Sequence, residues 1–249
     1  MVMRYPDPPG APALVQANHT ESDEGSRPPA DPNSISATPS EVNRLLSTLV
    51  DPSALHDKPF LLLIAGLLTT FMGIYTTLYY VNIFAMARTS AAPGVAPYIL
   101  VILNGASTVG RILPSAMADR IGPTHVLACT ALCSGILCFC LLLIYGEAGI
   151  VAWAVVYGCT AGAFMGLPAA GVVSISSCRK RVGARLGMTL GVVGCGVLIA
   201  EPIAGVILSR HPANWAGLVT WSASLKLAGF LFMFTARVAK AGWKLTIVV

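Results

Sequence analysis

Three ionisable side chains stand deep inside long apolar stretches of this sequence: Arg111, Glu201 and Lys226. A charge at the centre of a bilayer costs about 3 kcal/mol on insertion scales, so each marks a place where polarity is put to use. Asn104 and Ser107 precede Arg111 by seven and four residues, spacings that put all three on one face of a helix. The planar guanidinium can hold a carboxylate through two parallel hydrogen bonds. The same side chain can instead run its stem along apolar surface and reach the headgroups. Glu201 and Lys226 are equidistant from the turn around Ala213-Asn214. On consecutive antiparallel helices that places them at one depth, roughly 15 Å below the surface. An ion pair across the hairpin would let both sit there; alternatively Glu201, followed by Pro202, is a proton-coupling carboxylate. Asp119, Arg120 and Gly122 close a helix with an acceptor for backbone N–H groups, a basic residue and a residue suited to a tight turn.

No constellation for covalent chemistry accompanies these residues. The four histidines, His19, His56, His125 and His211, are scattered, and the seven cysteines contain no Cys-x-x-Cys pair. Neither a metal site nor a nucleophile with its base is expected, so the sequence predicts no cofactor and no enzyme activity. The cysteines lie mostly within apolar runs and behave as small hydrophobes. The basic run Arg179-Lys180-Arg181 with Arg185 suits anionic lipid, and nothing beyond that charge points to nucleic acid.

The elements that position these residues follow from composition. Of 249 residues 55% are hydrophobic and 11% charged, against about 25% charged in soluble domains. Residues 1–57 hold eight of the eleven acidic residues and three of the sixteen basic ones, a net of −5. Residues 58–249 hold the other three acids and thirteen bases, a net of +10, with 22 of the 24 glycines. The Pro-rich opening has too little apolar surface to offset its ordering entropy, which predicts a disordered tail over 1–57. A six-helix transmembrane domain over 58–249 is expected, because six stretches reach the length of about 20 residues that a bilayer demands. They run roughly over 60–86, 95–117, 125–146, 150–176, 187–209 and 216–238. Turn chemistry separates them at Ala92-Pro93-Gly94, Ile121-Gly122-Pro123 and His211-Pro212-Ala213-Asn214.

Basic residues near the span ends fall unevenly. Arg44, Lys58, Arg120, Arg179, Lys180, Arg181, Arg185, Arg237, Lys240 and Lys244 lie on one side, Arg88 and Arg210 on the other. That bias puts both termini in the cytosol, where the sequon Asn18-His19-Thr20 would stay unglycosylated. Tyr79, Tyr80, Tyr98, Tyr145, Trp153, Trp215 and Trp221 gather toward the outer interface. Gly158, Gly162 and Gly166, and again Gly183, Gly187 and Gly191, recur every fourth residue. Such faces let helix backbones approach closely.

The stretch Asn104-Gly105-Ala106-Ser107-Thr108-Val109-Gly110-Arg111-Ile112-Leu113-Pro114, continuing to Ala118-Asp119-Arg120-Ile121-Gly122, resembles the eighth helix and following loop of fungal monocarboxylate-porter-like transporters, members of the major facilitator superfamily. Asp57-Lys58-Pro59-Phe60, Gly158 to Gly166, Gly183-Ala184-Arg185-Leu186-Gly187-Met188 and Pro202-Ile203-Ala204-Gly205 are similar to that family in order. The resemblance covers roughly residues 45–245 and implies an all-α membrane fold in which the six spans correspond to helices seven to twelve. It implies that the first and fourth spans line a substrate cavity and that Arg111 takes the place of an arginine facing an anionic substrate. Asp119, Arg120 and Gly122 are expected to be structural or gating residues, as are Glu201 and Lys226 on the ground of their shared depth alone. Two departures stand out: Ser107 replaces the aspartate of the animal porters, and Pro123-Thr124 replaces a basic pair. Glu201 also stands where relatives have a small residue. Facilitators build their site between two six-helix halves, so the chain supplies one wall. The segment from Glu41 resembles the link between halves. The implied function is movement of a small organic solute, including efflux of a secondary metabolite, across the plasma membrane. It would require a second six-helix half or a second copy. The alternative is a truncated, non-transporting remnant or regulatory membrane partner.

Overall fold

The computed structural model describes residues 52–88, 96–176, 181–210 and 215–241. Six helices among them are long and apolar enough to cross a membrane. The first span is Lys58–Arg88. The second comprises Ile99–Gly110 and Ile112–Ile121, and the third is Pro123–Cys140, extended by a 3-10 turn at Leu141–Leu143. The fourth comprises Glu147–Gly166 and Pro168–Ile175. The fifth is Val182–Arg210 and the sixth Trp215–Ala241. The membrane fold is therefore as the composition requires. The expected tail lies outside the described residues except at its end, where Pro52–His56 forms a 3-10 turn and Ala54 is fully buried. The turn sequences at 92–94 and 211–214 also lie outside them.

Antiparallel succession gives the bundle two ends. A basic end carries Asp57, Arg120, Arg185 and Lys240; an aromatic end carries Tyr98, Tyr145 and Trp215. Proline explains both broken spans. Pro114 lacks the N–H that would reach Gly110, so the second span is interrupted at Arg111 by one missing ladder bond while Arg111 keeps helical dihedrals, φ −74° and ψ −26°. Pro168 does the same after Leu167 in the fourth. Gly122, with φ 96°, makes the tight reversal between second and third spans that its sequence context called for.

The core is built from Phe60, Leu63, Leu67 and Ile74 of the first span with Leu127, Tyr157, Phe164, Ala223 and Met233. The most extensive helix contact joins the first and sixth spans, followed by second with fourth and third with sixth. One glycine stripe does what its spacing predicts: a Cβ on Gly158 or Gly162 would collide with the backbone of Leu103 or Ser107. The other does not. Gly183, Gly187 and Gly191 of the fifth span face open space.

Candidate functional site

Arg111 sits at the joint of the second span, ten residues or about 15 Å from its end at Ile121. Its stem lies along Gly166, where a Cβ would come 3.5 Å from Cγ, and the residue is exposed. Asn104 and Thr108 are exposed on the same segment. Asn104 Nδ2 donates to the Leu100 carbonyl at 2.8 Å, and Thr108 Oγ1 donates to the Asn104 carbonyl at 3.2 Å. Ser107 parts from this stripe. It is buried against Gly162, and its hydroxyl donates to the Asn104 carbonyl at 2.8 Å. The residues used for close packing are thus adjacent to those left open. The second and fifth spans are the least enclosed, 24% and 22% buried, whereas the first and fourth reach 56%. Phe71 and Phe164 pin those two together edge to face at 5.3 Å.

The ion pair expected between Glu201 and Lys226 is not formed. Lys226 is fully buried, and its Nζ donates to Thr77 Oγ1 of the first span at 2.8 Å. It also lies 4.7 Å from the centroid of Tyr157, which stacks on Trp153. Thr77 Oγ1 and Ser222 Oγ are 2.7 Å apart, and both hydroxyls donate to the Gly73 carbonyl. Gly73 admits this contact because a Cβ there would stand 2.6 Å from the Ser222 carbonyl oxygen. Glu201 turns elsewhere. Its Oε1 is buried without a hydrogen-bond partner among the described residues, and its carbonyl accepts from Tyr80 Oη at 3.5 Å. Shared depth brought neither side chain to the other, because rotation about the helix axis decides facing.

At the basic end the sequence concealed a second polar cluster. Arg185, read as a lipid anchor, is buried; its Nη1 meets Asp57 Oδ2 at 3.0 Å, and its guanidinium lies 5.0 Å from the Phe60 ring. Lys240 Nζ donates to the carbonyls of Ser174 and Ile175, capping the fourth span. Asp119 and Arg120 are exposed one turn from Gly122. Arg179 and Lys180 lie outside the described residues. Asp57-Lys58-Pro59-Phe60 and Gly183-Ala184-Arg185, noticed separately in the sequence, thus meet in one ion pair.

The chain is 40% identical over 185 residues to the MFS-type transporter dbaD of Emericella nidulans, a match covering 74% of this chain and 42% of the relative. The chain belongs to the major facilitator superfamily. Within that superfamily it is 30% identical over 190 residues to the MFS-type transporter pynF of Aspergillus niger, covering 76% of this chain and 44% of the relative. It is 27% identical over 166 residues to the aspyridones efflux protein apdF of Emericella nidulans, covering 67% and 34%. No family model matches. The chain spans less than half the length of these facilitator relatives.

Proposed function

We propose that the six helices form one half of a monocarboxylate-porter-like facilitator that exports a small organic solute carrying an anionic group. The observation that carries this is the exposed Arg111 on one of the two least enclosed spans, beside Asn104 and Thr108. A guanidinium about 15 Å inside an apolar helix needs water, an anion or a partner. A solute carboxylate would meet it in two parallel hydrogen bonds. The relatives named as transporters and as an efflux protein support the direction of movement.

The second wall is another six-helix half, supplied by a further chain or a second copy. The open glycines at 183, 187 and 191 would receive it by close backbone approach. Basic residues bias the Asp57 end toward the cytosol of a plasma-membrane protein, with both termini on that side. Asp119, Arg120 and Gly122 shape the turn at that end, while Glu201 and Lys226 serve within the wall.

The test is efflux of a panel of aromatic and aliphatic acids from yeast expressing the chain, measured by mass spectrometry of the medium. Arg111→Lys keeps the charge and loses the planar fork, so export should fall about tenfold or more at equal protein level, the worth of one charged hydrogen bond. Export unchanged in that variant would remove Arg111 from the solute path.

A further inference from the structure

The second span changes neighbour along its length. Up to Gly110 it lies against the fourth span, with Gly110 on the backbone of Cys159; beyond the break it lies chiefly against the third. The wedge left where these three helices diverge is a groove of about 440 Å³. Val109, Pro114 and Met117 form one wall, Cys129 and Cys133 the second, and Ala163 lies at the back. From His125 to Cys133 it runs over eight residues, about 12 Å of membrane depth.

Its chemistry excludes a polar occupant. The two hydroxyls in it are engaged with helix carbonyls: Thr130 with Val126 at 2.9 Å and Thr160 with Tyr157 at 2.9 Å. Cys159 Sγ faces the Ala106 carbonyl at 3.5 Å. The groove therefore offers apolar surface along its depth, and charge stands at its mouth on the basic end. There Ile121 and His125 line the rim, and the exposed Arg120 adjoins Ile121.

We propose that this groove is a lipid site that takes one acyl chain of an anionic phospholipid, with the headgroup phosphate at Arg120 and His125. The apolar depth selects a hydrocarbon tail over a polar solute, and the charge at the rim selects an anionic headgroup over a zwitterionic one. The site is distinct from the face carrying Arg111 and stands whether or not the chain transports.

The full-length chain in liposomes is photolabelled with phosphatidylserine bearing a diazirine in its acyl chain, and the crosslinks are mapped by mass spectrometry. Labelling should concentrate on Met117, Cys129 and Cys133 over Leu231 of the sixth span, which is exposed outside the groove. It should exceed that from the matching phosphatidylcholine about fivefold, the value of one basic residue near an anionic headgroup. Val109→Trp, which fills the groove from an exposed position, should remove the concentration of crosslinks. Arg120→Gln should retain the crosslinked positions and erase the preference for serine headgroups. Crosslinks spread evenly over exposed positions, equal labelling by the two lipids, or indifference to Val109→Trp would each overturn the proposal.

Discussion

Lys226 offers the sharpest test of how this helix bundle holds itself together. Its ammonium donates to Thr77 Oγ1 and lies over the aromatic face of Tyr157. Thr77→Val is nearly isosteric and removes the oxygen, stranding a buried cation. The loss of a hydrogen bond to a charged group is worth about 2 kcal/mol. Lys226→Met forfeits the same bond and a desolvated cation–π contact of about 2 kcal/mol. It also lifts a burial cost of several kcal/mol. The single lysine variant should therefore lie within about 1 kcal/mol of the parent, or above it. Adding Thr77→Val to Lys226→Met should then cost little, giving a coupling energy near 2 kcal/mol. Glu201→Gln, in contrast, should couple to Lys226→Met by less than about 0.5 kcal/mol, because the two share no contact. The assay is a double-mutant cycle on reversible unfolding of the purified chain in mixed micelles. A Glu201–Lys226 coupling above about 1 kcal/mol, or none between Thr77 and Lys226, would refute this reasoning.

The two glycine stripes should respond oppositely to alanine. Gly162→Ala should destabilise by about 1–3 kcal/mol through collision with Ser107, whereas Gly187→Ala should be neutral or stabilising by up to about 1 kcal/mol, both read from the same unfolding titration. Asp57→Ala removes the carboxylate that meets the buried Arg185 guanidinium and should cost about 2 kcal/mol, largely insensitive to salt. A cysteine introduced at Ala148 should react with an impermeant maleimide from outside intact cells, and one at Gly183 should not; the reverse pattern would invert the proposed orientation.

Span number and approximate limits were legible because length and apolarity alone satisfy the bilayer. The two breaks were written in Pro114 and Pro168, although only the turn at Gly122 was anticipated. Facing was not legible. Glu201 and Lys226 share a depth, yet helices that are apolar nearly all round carry no periodic signal of rotation, so Lys226 turned to Thr77 and away from Glu201. The two glycine stripes read identically in sequence and differ only in whether a neighbour arrives. Arg185 illustrates the same gap: a basic residue near a span end looks alike whether it meets lipid or an aspartate 128 positions earlier.

The hydrogen bond that Pro114 leaves unmade gives the second span a weak point beside Arg111, although Arg111 itself keeps helical dihedrals. The span's first segment is keyed backbone to backbone into the fourth span, while the second, ten residues or about 15 Å long, lies mainly on the third. Such a lever magnifies: a tilt of about 10° at the joint displaces its far end by roughly 2.6 Å, the arc swept by that length. The far end carries Asp119, Arg120 and the turn at Gly122, and the fulcrum carries the guanidinium. A force applied at Arg111 would be read out at the membrane surface as motion of a charged tip.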